Sequence, residues 1–440
     1  MYCGGCLRDN ALVAALRQLG HQALMVPLYL PLTLDEEDQS AGTPIFFSGI
    51  NVYLAQKAPL FRGAPGWLRD LFASPRLLQW AAGKAAKTRA ADLGELTLSM
   101  LRGETGNQAR DLAELIAWLK TQPKPDVLCL SNALLIGMVR RLKAELHVPV
   151  ACSLQGEDSF LDALPESHRA ACWRLLTERA ADVDLFIAPS RYFGNLMRER
   201  LGLPADRVRV VHNGISLNGY DVEGRGARGE GRGEKAEGRR QNEEGEGARV
   251  PALGFFARMC PEKGLDTLVE AYLLLRRRGR VGQLKLRVGG SCGPADEDFV
   301  KSLRERLAAG GLLGDAEFHP NVDRAGKLAF LRSLSVFSVP ARYGEAFGLY
   351  VIEAMAAGVP VVLPRLAAFP ELIEATGGGV LCAADDPAAL AEAIEVLLLD
   401  TARARALGDA GRRAVFERFS APAMARALAE AYRELSGRAP

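Results

Sequence analysis

The sequence predicts an α/β protein made of two doubly wound domains, each a parallel sheet with helices on both faces. Three observations lead there. Short apolar runs rich in Val, Ile, Leu and Phe alternate with helix-compatible stretches throughout the chain, as in parallel sheets covered on both sides. Residues 222–249 interrupt the series with eight Gly, seven acidic and seven basic residues, so no core can form there and a disordered linker is expected. Glycines and polar groups cluster just after the expected strand ends, where such sheets bind ligands. With 440 residues the chain is long enough for two cores. The expected division is 1–221, the linker 222–249, 250–419 and a terminal segment 420–440.

Bulk composition narrows the function. Apolar residues make up 48% and charged residues 25%, the balance of an ordinary soluble protein. A net charge of +2 gives no global basic field, so nucleic acid is not an expected partner. No apolar run reaches membrane-spanning length, and the start Met1-Tyr2-Cys3-Gly4-Gly5 does not read as a signal peptide. Eight scattered cysteines suit reduced thiols, and a cytoplasmic protein is the expectation. Cys3 and Cys6 form one C-x-x-C pair, which fits a redox site or half a zinc site. A second pair at matching spacing is lacking and the five histidines are isolated, so no metal site is expected. The glycines between the two cysteines weigh more.

In the first half, apolar positions Leu12, Ala15, Leu16 and Leu19 predict a helix over residues 9–19, ended by Gly20. A strand is expected over 22–29. Gly4 and Gly5 then form a turn before the first helix, like the phosphate-binding turn of a Rossmann-like unit. The strand that would lead into that turn is missing, and the expectation is a start upstream of Met1. Further strands are expected at 126–130, 148–154, 185–188 and 208–211. After them come Asn132, Gln155 to Asp158, Ser190 and His212-Asn213-Gly214. Residues 57–89 carry Lys57, Arg62, Arg69, Arg76, Lys84, Lys87 and Arg89 against Asp70, with Trp67, Phe72 and Trp80 interleaved. Such a stretch suits peripheral contact with anionic lipid, or else a solvated basic face over the core.

In the second half, strands are expected at 251–257, 284–289, 336–339, 359–363 and 380–382, with a helix over 265–278. Arg258 and Lys263 fall between a strand end and that helix, where two cations favour a diphosphate. Ser420 is the expected cap of a helix over 420–436. The central stretch is 344–358, a glycine-framed loop running into an apolar helix. Glu345 lies in the loop and Glu353 eight residues on. A buried carboxylate is costly without donors, and the plain reading is a salt bridge to a nearby Lys or Arg. Two carboxylates flanking a helix start also suit a ligand that carries both phosphates and hydroxyls.

Glu345 and Glu353 resemble the E-x7-E motif of retaining glycosyltransferases of GT-B fold, family-4 type (glycosyl transferases group 1). Gly358-Val359-Pro360-Val361-Val362 is similar to that family's G-x-P-V-V segment, and Arg258 with Lys263-Gly264 to its R-x-x-x-x-K-G clamp. Asn213-Gly214-Ile215 resembles its N-G-V/I turn, and Pro370-Glu371-Leu372 its P-E-L/I helix start. Gln155-Gly156 departs from the family's His-Gly. The dehydrogenase pattern needs G-x-G-x-x-G directly after a strand, and none occurs in that setting; the P-loop pattern G-x-x-x-x-G-K-[ST] is missing.

The resemblance implies a GT-B fold: two Rossmann-like domains facing across a cleft, with the last helix crossing back to the first. It implies transfer of a sugar from a nucleotide-diphosphate sugar to an acceptor, a glycan or a lipid-linked one, with retention by a front-face mechanism. Glu345, Arg258 and Lys263 are the implied catalytic residues. Glu353, Gly4, Gly5, Phe347, Gly348, Leu349, Tyr350 and Asn213 are the implied donor-binding set, with no cofactor or metal. The alternative is a catalytically inactive GT-B-shaped scaffold that keeps the nucleotide site, suggested by Gln155 and the missing first strand.

Overall fold

A computed structural model describes residues 4–28, 36–47, 90–221 and 250–437. The basic segment 57–89, the linker 222–249, Cys3 and Tyr29 lie outside the described residues.

The first sheet has four parallel strands in the order β1 (Leu128–Leu130), β2 (Val150–Ser153), β3 (Leu185–Ala188), β4 (Val208–Val210). Every residue of β2 and β3 is buried, as expected for strands with helices on both faces. The second sheet has six parallel strands: β5 (Ala252–Phe256), β6 (Lys285–Gly290), β7 (Ala316–Pro320), β8 (Val336–Phe337), β9 (Val361–Pro364) and β10 (Gly379–Cys382). Their order is β10-β9-β8-β5-β6-β7. The chain therefore winds outward from β5 to β7, returns to the other side of β5, and winds outward again. That reversal opens a crevice at the carboxyl ends of β5 and β8, the place where open α/β sheets bind ligands. It brings the loop after β5, with Arg258 and Lys263, beside the loop after β8, with Glu345.

The helix over Leu265–Arg278 is bounded by Gly264 and Gly279, both left-handed. Gly264 also has no room for a side chain: a Cβ there would sit 1.9 Å from the Pro340 carbonyl oxygen. Gly282 has the same φ of +70° but nothing within 4 Å. Gly264→Ala should therefore cost about 3 kcal/mol or more, and Gly282→Ala only about 1–2 kcal/mol for the backbone conformation. Equal shifts of the two urea midpoints would show that the close approach to Pro340 costs nothing.

Two expectations differ from what is found, and one strand was not expected. Residues 21–28 form no strand. Val26 and Leu28 instead pack on the core of the first sheet, and Leu28 accepts a 2.8 Å bond from the Phe47 N–H, so apolar contact fixes the segment without a ladder. The first helix runs over Gly4–Gln18, so Gly4 and Gly5 are its opening turn and not a loop before it. Packing there overrides the roughly 1 kcal/mol that each glycine costs a helix. Strand β7 has no sequence signal, since Ala-Glu-Phe-His-Pro neither alternates nor runs apolar. It is a partly exposed edge strand, and pairing with β6 alone defines it.

The last helix, Ala421–Leu435, is capped by Ser420, whose side chain accepts from the Ala423 N–H. Met424, Ala425 and Leu428 bury themselves among Ala11, Leu12 and Ala15 of the first helix and Leu185 and Ile187 of β3. The chain's end is thus packed on the first sheet. Gly214 permits the crossing, because a Cβ there would meet the Ser420 carbonyl oxygen at 2.3 Å.

Candidate active site in the interdomain cleft

A cleft of about 300 Å³ opens between the domains at the crevice. Its walls include Gly4 and Arg8 from the first domain, and Arg258, Lys263, Leu349, Tyr350 and Glu353 from the second.

Arg258 follows β5 and is held by Asp296: its Nη2 and Nε donate to Oδ1 at 2.9 and 3.1 Å, and Nε also reaches Oδ2 at 3.1 Å. The Gly293 N–H donates to Asp296 at 3.0 Å, which fixes the carboxylate in turn. With one edge occupied and 57% of the side chain exposed, the guanidinium is oriented but still available to an anion.

Lys263 closes the short turn before Gly264. Its Nζ donates to Glu345 Oε2 at 2.6 Å and to the Tyr343 hydroxyl, and lies 4.8 and 4.9 Å above the Tyr343 and Tyr350 rings. The Tyr343 and Tyr350 hydroxyls donate to Glu345 Oε2 at 2.9 and 2.8 Å. Burial pushes the Glu345 carboxyl up, but Lys263 and these donors outweigh it and hold the group below its ordinary value. Burial, and then the Glu345 charge, push both tyrosine hydroxyls up, so they remain donors. The result is an ionised carboxylate on a fixed three-donor seat. Glu353 Oε1 receives Lys327 Nζ at 2.6 Å, with both side chains less than one-fifth exposed. The plain salt-bridge reading therefore describes both glutamates in this structure.

Gly348, at φ +94°, caps the helix Leu349–Ala356; the Val351 N–H donates to the Gly348 carbonyl at 3.0 Å, and the N–H groups of Leu349 and Tyr350 before it have no acceptor within the helix. Leu349 and Tyr350 bring that turn to the cleft, and a Cβ on Gly4 would lie 3.6 Å from Leu349 Cδ1. Two helix starts, Gly4 and Leu349, thus face one space. Of the remaining expected residues, Gly5 is in the first turn of its helix but is not among the lining residues. Phe347 is buried against the rings of His212 and Phe419. Asn213 is buried and accepts from Arg8 Nη1 at 3.5 Å, so its side chain orients Arg8 and does not face the cleft. Glu345 stands directly behind Lys263 and Tyr350. Gly156, at φ +100°, abuts Ala346 with 3.8 Å between the position of its Cβ and that side chain, so the Gln155-Gly156 turn touches the same loop.

Sequence reasoning missed Lys327, Arg324, Glu36 and Arg8. Arg324 Nη1 pairs with Glu36 at 2.8 Å, a second link between the domains, and both line the cleft. Arg8, Arg324 and Lys327 are single charges on helices and look like solvated faces, Glu36 lies in a loop, and nothing in their spacing marks them. Among the described residues no group of three His, Cys, Asp or Glu side chains is arranged to hold a metal ion. Cys6 lies in the first turn of the helix Gly4–Gln18. No described helix is long and apolar enough to cross a membrane.

The family model for glycosyl transferases group 1 matches residues 237–414, and that for glycosyltransferase family 4 matches residues 95–218. Together these matches support a group 1 glycosyltransferase of GT-B fold. A lipopolysaccharide core biosynthesis mannosyltransferase of Rhizobium meliloti is 35% identical over 191 residues, 42% of this chain and 51% of that protein. A D-inositol 3-phosphate glycosyltransferase of Streptomyces scabiei is 30% identical over 274 residues, 62% of this chain and 58% of its own length. A phosphatidyl-myo-inositol mannosyltransferase of Mycobacterium leprae is 38% identical over 138 residues, 31% of this chain and 34% of its own. The chain thus spans about half the length of the relatives it matches. Among solved structures, Anabaena HepE in complex with UDP superposes with a TM-score of 0.61 at 18% identity, over 93% of this chain and 100% of that one. This likeness shows the GT-B fold.

Proposed function

We propose that the protein transfers a sugar from a nucleotide-diphosphate sugar to an acceptor, with retention of anomeric configuration. The observation that carries this reading is the convergence of Arg258, Lys263, Glu353 and the helix start at Leu349 on one wall of the cleft. Arg258, Lys263 and the first-turn N–H groups favour the diphosphate. Glu353 accepts from the ribose hydroxyls, with Lys327 giving up its place. Glu345 stands behind Lys263 and Tyr350 and does not line the cleft, and in this reading it meets the sugar once Lys263 turns to the diphosphate. As the bond from the anomeric carbon to the phosphate oxygen breaks, the two cations offset the charge on the leaving diphosphate, a role that needs no divalent metal. The acceptor oxygen bonds to the same face of the anomeric carbon, and its proton goes to the departing phosphate oxygen.

The acceptor in this reading is a glycan or lipid-linked molecule. The names of the Rhizobium and Mycobacterium relatives support it, as does the basic, aromatic composition of 57–89. That segment would place a cytoplasmic enzyme peripherally on an anionic membrane. The proton NMR spectrum of the product formed in EDTA tests the reaction. An α-linked product from an α-configured donor is expected, and a β-linked product would contradict the front-face route.

A further inference from the structure

Beside the cleft, a second set of contacts joins the domains, and the donor reading above does not use it. Glu371 lies on the helix Phe369–Thr376 of the second domain and is 8% exposed. Its Oε1 and Oε2 accept from the consecutive N–H groups of Arg191 and Tyr192 at 3.0 and 3.2 Å. These open the helix Arg191–Leu201 of the first domain, so a carboxylate of one domain sits on a helix N-terminus of the other. His212 Nε2 lies 2.8 Å from the same Oε1. One residue earlier, the buried Ser190 caps that helix by accepting from the Phe193 N–H at 3.1 Å, and its Oγ donates to the Ala346 carbonyl at 2.7 Å.

The two contacts bracket the loop that carries Glu345. Ala346, the next residue, is tied to Ser190. The Glu345 carbonyl accepts from the Ala368 N–H at 3.3 Å, three residues before Glu371. Tyr192 closes the other side: a Cβ on Gly344 would come within 2.5 Å of its hydroxyl. Burial raises the Glu371 carboxyl, but His212 and the two N–H groups outweigh it and hold it below its ordinary value, so the seat is charged.

We propose that Ser190 and Glu371 are positioning residues, a cross-domain seat through which the first domain sets Glu345 against the donor sugar. The inference rests on the sugar-transfer reading. Plain domain glue has a different consequence. Arg258, Glu353 and Leu349 all belong to the second domain, so losing the seat should spare nucleotide binding and damage only the step that needs Glu345 in register.

The test compares Ser190→Ala, Ser190→Thr and Glu371→Gln with wild type. It uses titrations of UDP, GDP and ADP, steady-state kinetics per nucleotide-binding site, and amide exchange of the peptide covering 343–348. For Ser190→Ala and Glu371→Gln, nucleotide affinity should stay within about twofold of wild type. Their kcat should fall about tenfold or more, and exchange in 343–348 should rise. Ser190→Thr, which keeps the hydroxyl, should restore both. Unchanged exchange in 343–348, or raised exchange with wild-type kcat, overturns the proposal. If wild type turns over no donor, the transfer reading has failed and the exchange arm alone decides the seat: raised exchange in 343–348 upholds it, and unchanged exchange overturns it.

Discussion

Glu345→Gln is expected to lower turnover by about 10²- to 10³-fold while leaving nucleotide affinity nearly intact. The amide oxygen still accepts from Lys263, Tyr343 and Tyr350, so the three buried donors keep their acceptor although Lys263 loses its counter-ion. Glu345→Ala should lose turnover as strongly and stability as well. It leaves Lys263, only 16% exposed, and both tyrosine hydroxyls with no acceptor at all, which costs about 3 kcal/mol or more for groups this buried. The acid limb of stability should separate the two effects. The Glu345 carboxyl titrates below its ordinary 4.5 in the fold, so its contribution is present above that value and is lost as pH falls through the lower folded value. Wild type should therefore lose stability below pH 4.5 more steeply than Glu345→Gln, which has nothing to titrate there. Wild-type turnover in Glu345→Gln with a competent donor and acceptor would end the catalytic assignment.

The second large effect is at Lys263. Lys263→Ala removes a charge-assisted contact to the diphosphate, and affinity for the nucleoside diphosphate should fall about 10- to 100-fold. Affinity for the matching nucleoside should hardly change, because ribose recognition at Glu353 is separate. The Glu345 carboxylate also loses the cation that holds it low, so thermal stability should drop, and adding Glu345→Gln should recover part of it. Equal losses for nucleoside and nucleoside diphosphate would mean that Lys263 supports the fold of the cleft and not the phosphates.

The elements legible in the sequence were those in which one physical signal dominates. Strands β2, β3 and β5 are continuous apolar runs, and both ends of the helix Leu265–Arg278 are marked by glycines that must be left-handed. The loops with Arg258, Lys263 and Glu345 were legible because a strand, a glycine turn and a helix start leave little choice for charged residues between them. What was not legible depends on partners distant in sequence. β7 exists by pairing with β6, and Gly4 is helical by packing. The partners of Glu353 and Glu371 were equally hidden. Lys327 meets Glu353 only after the chain has passed through β8 into the next helix, and Glu371 meets Arg191 only when the domains face each other.

The central claim is a cleft that binds a nucleotide diphosphate with protein cations alone. Calorimetric titration of the full chain with UDP, GDP and ADP in EDTA tests it most directly. Saturable binding of one of the three, weakened by Lys263→Ala and unchanged when Mg²⁺ replaces EDTA, is the predicted result. Binding that appears only with Mg²⁺, or no binding of any of them, would contradict it.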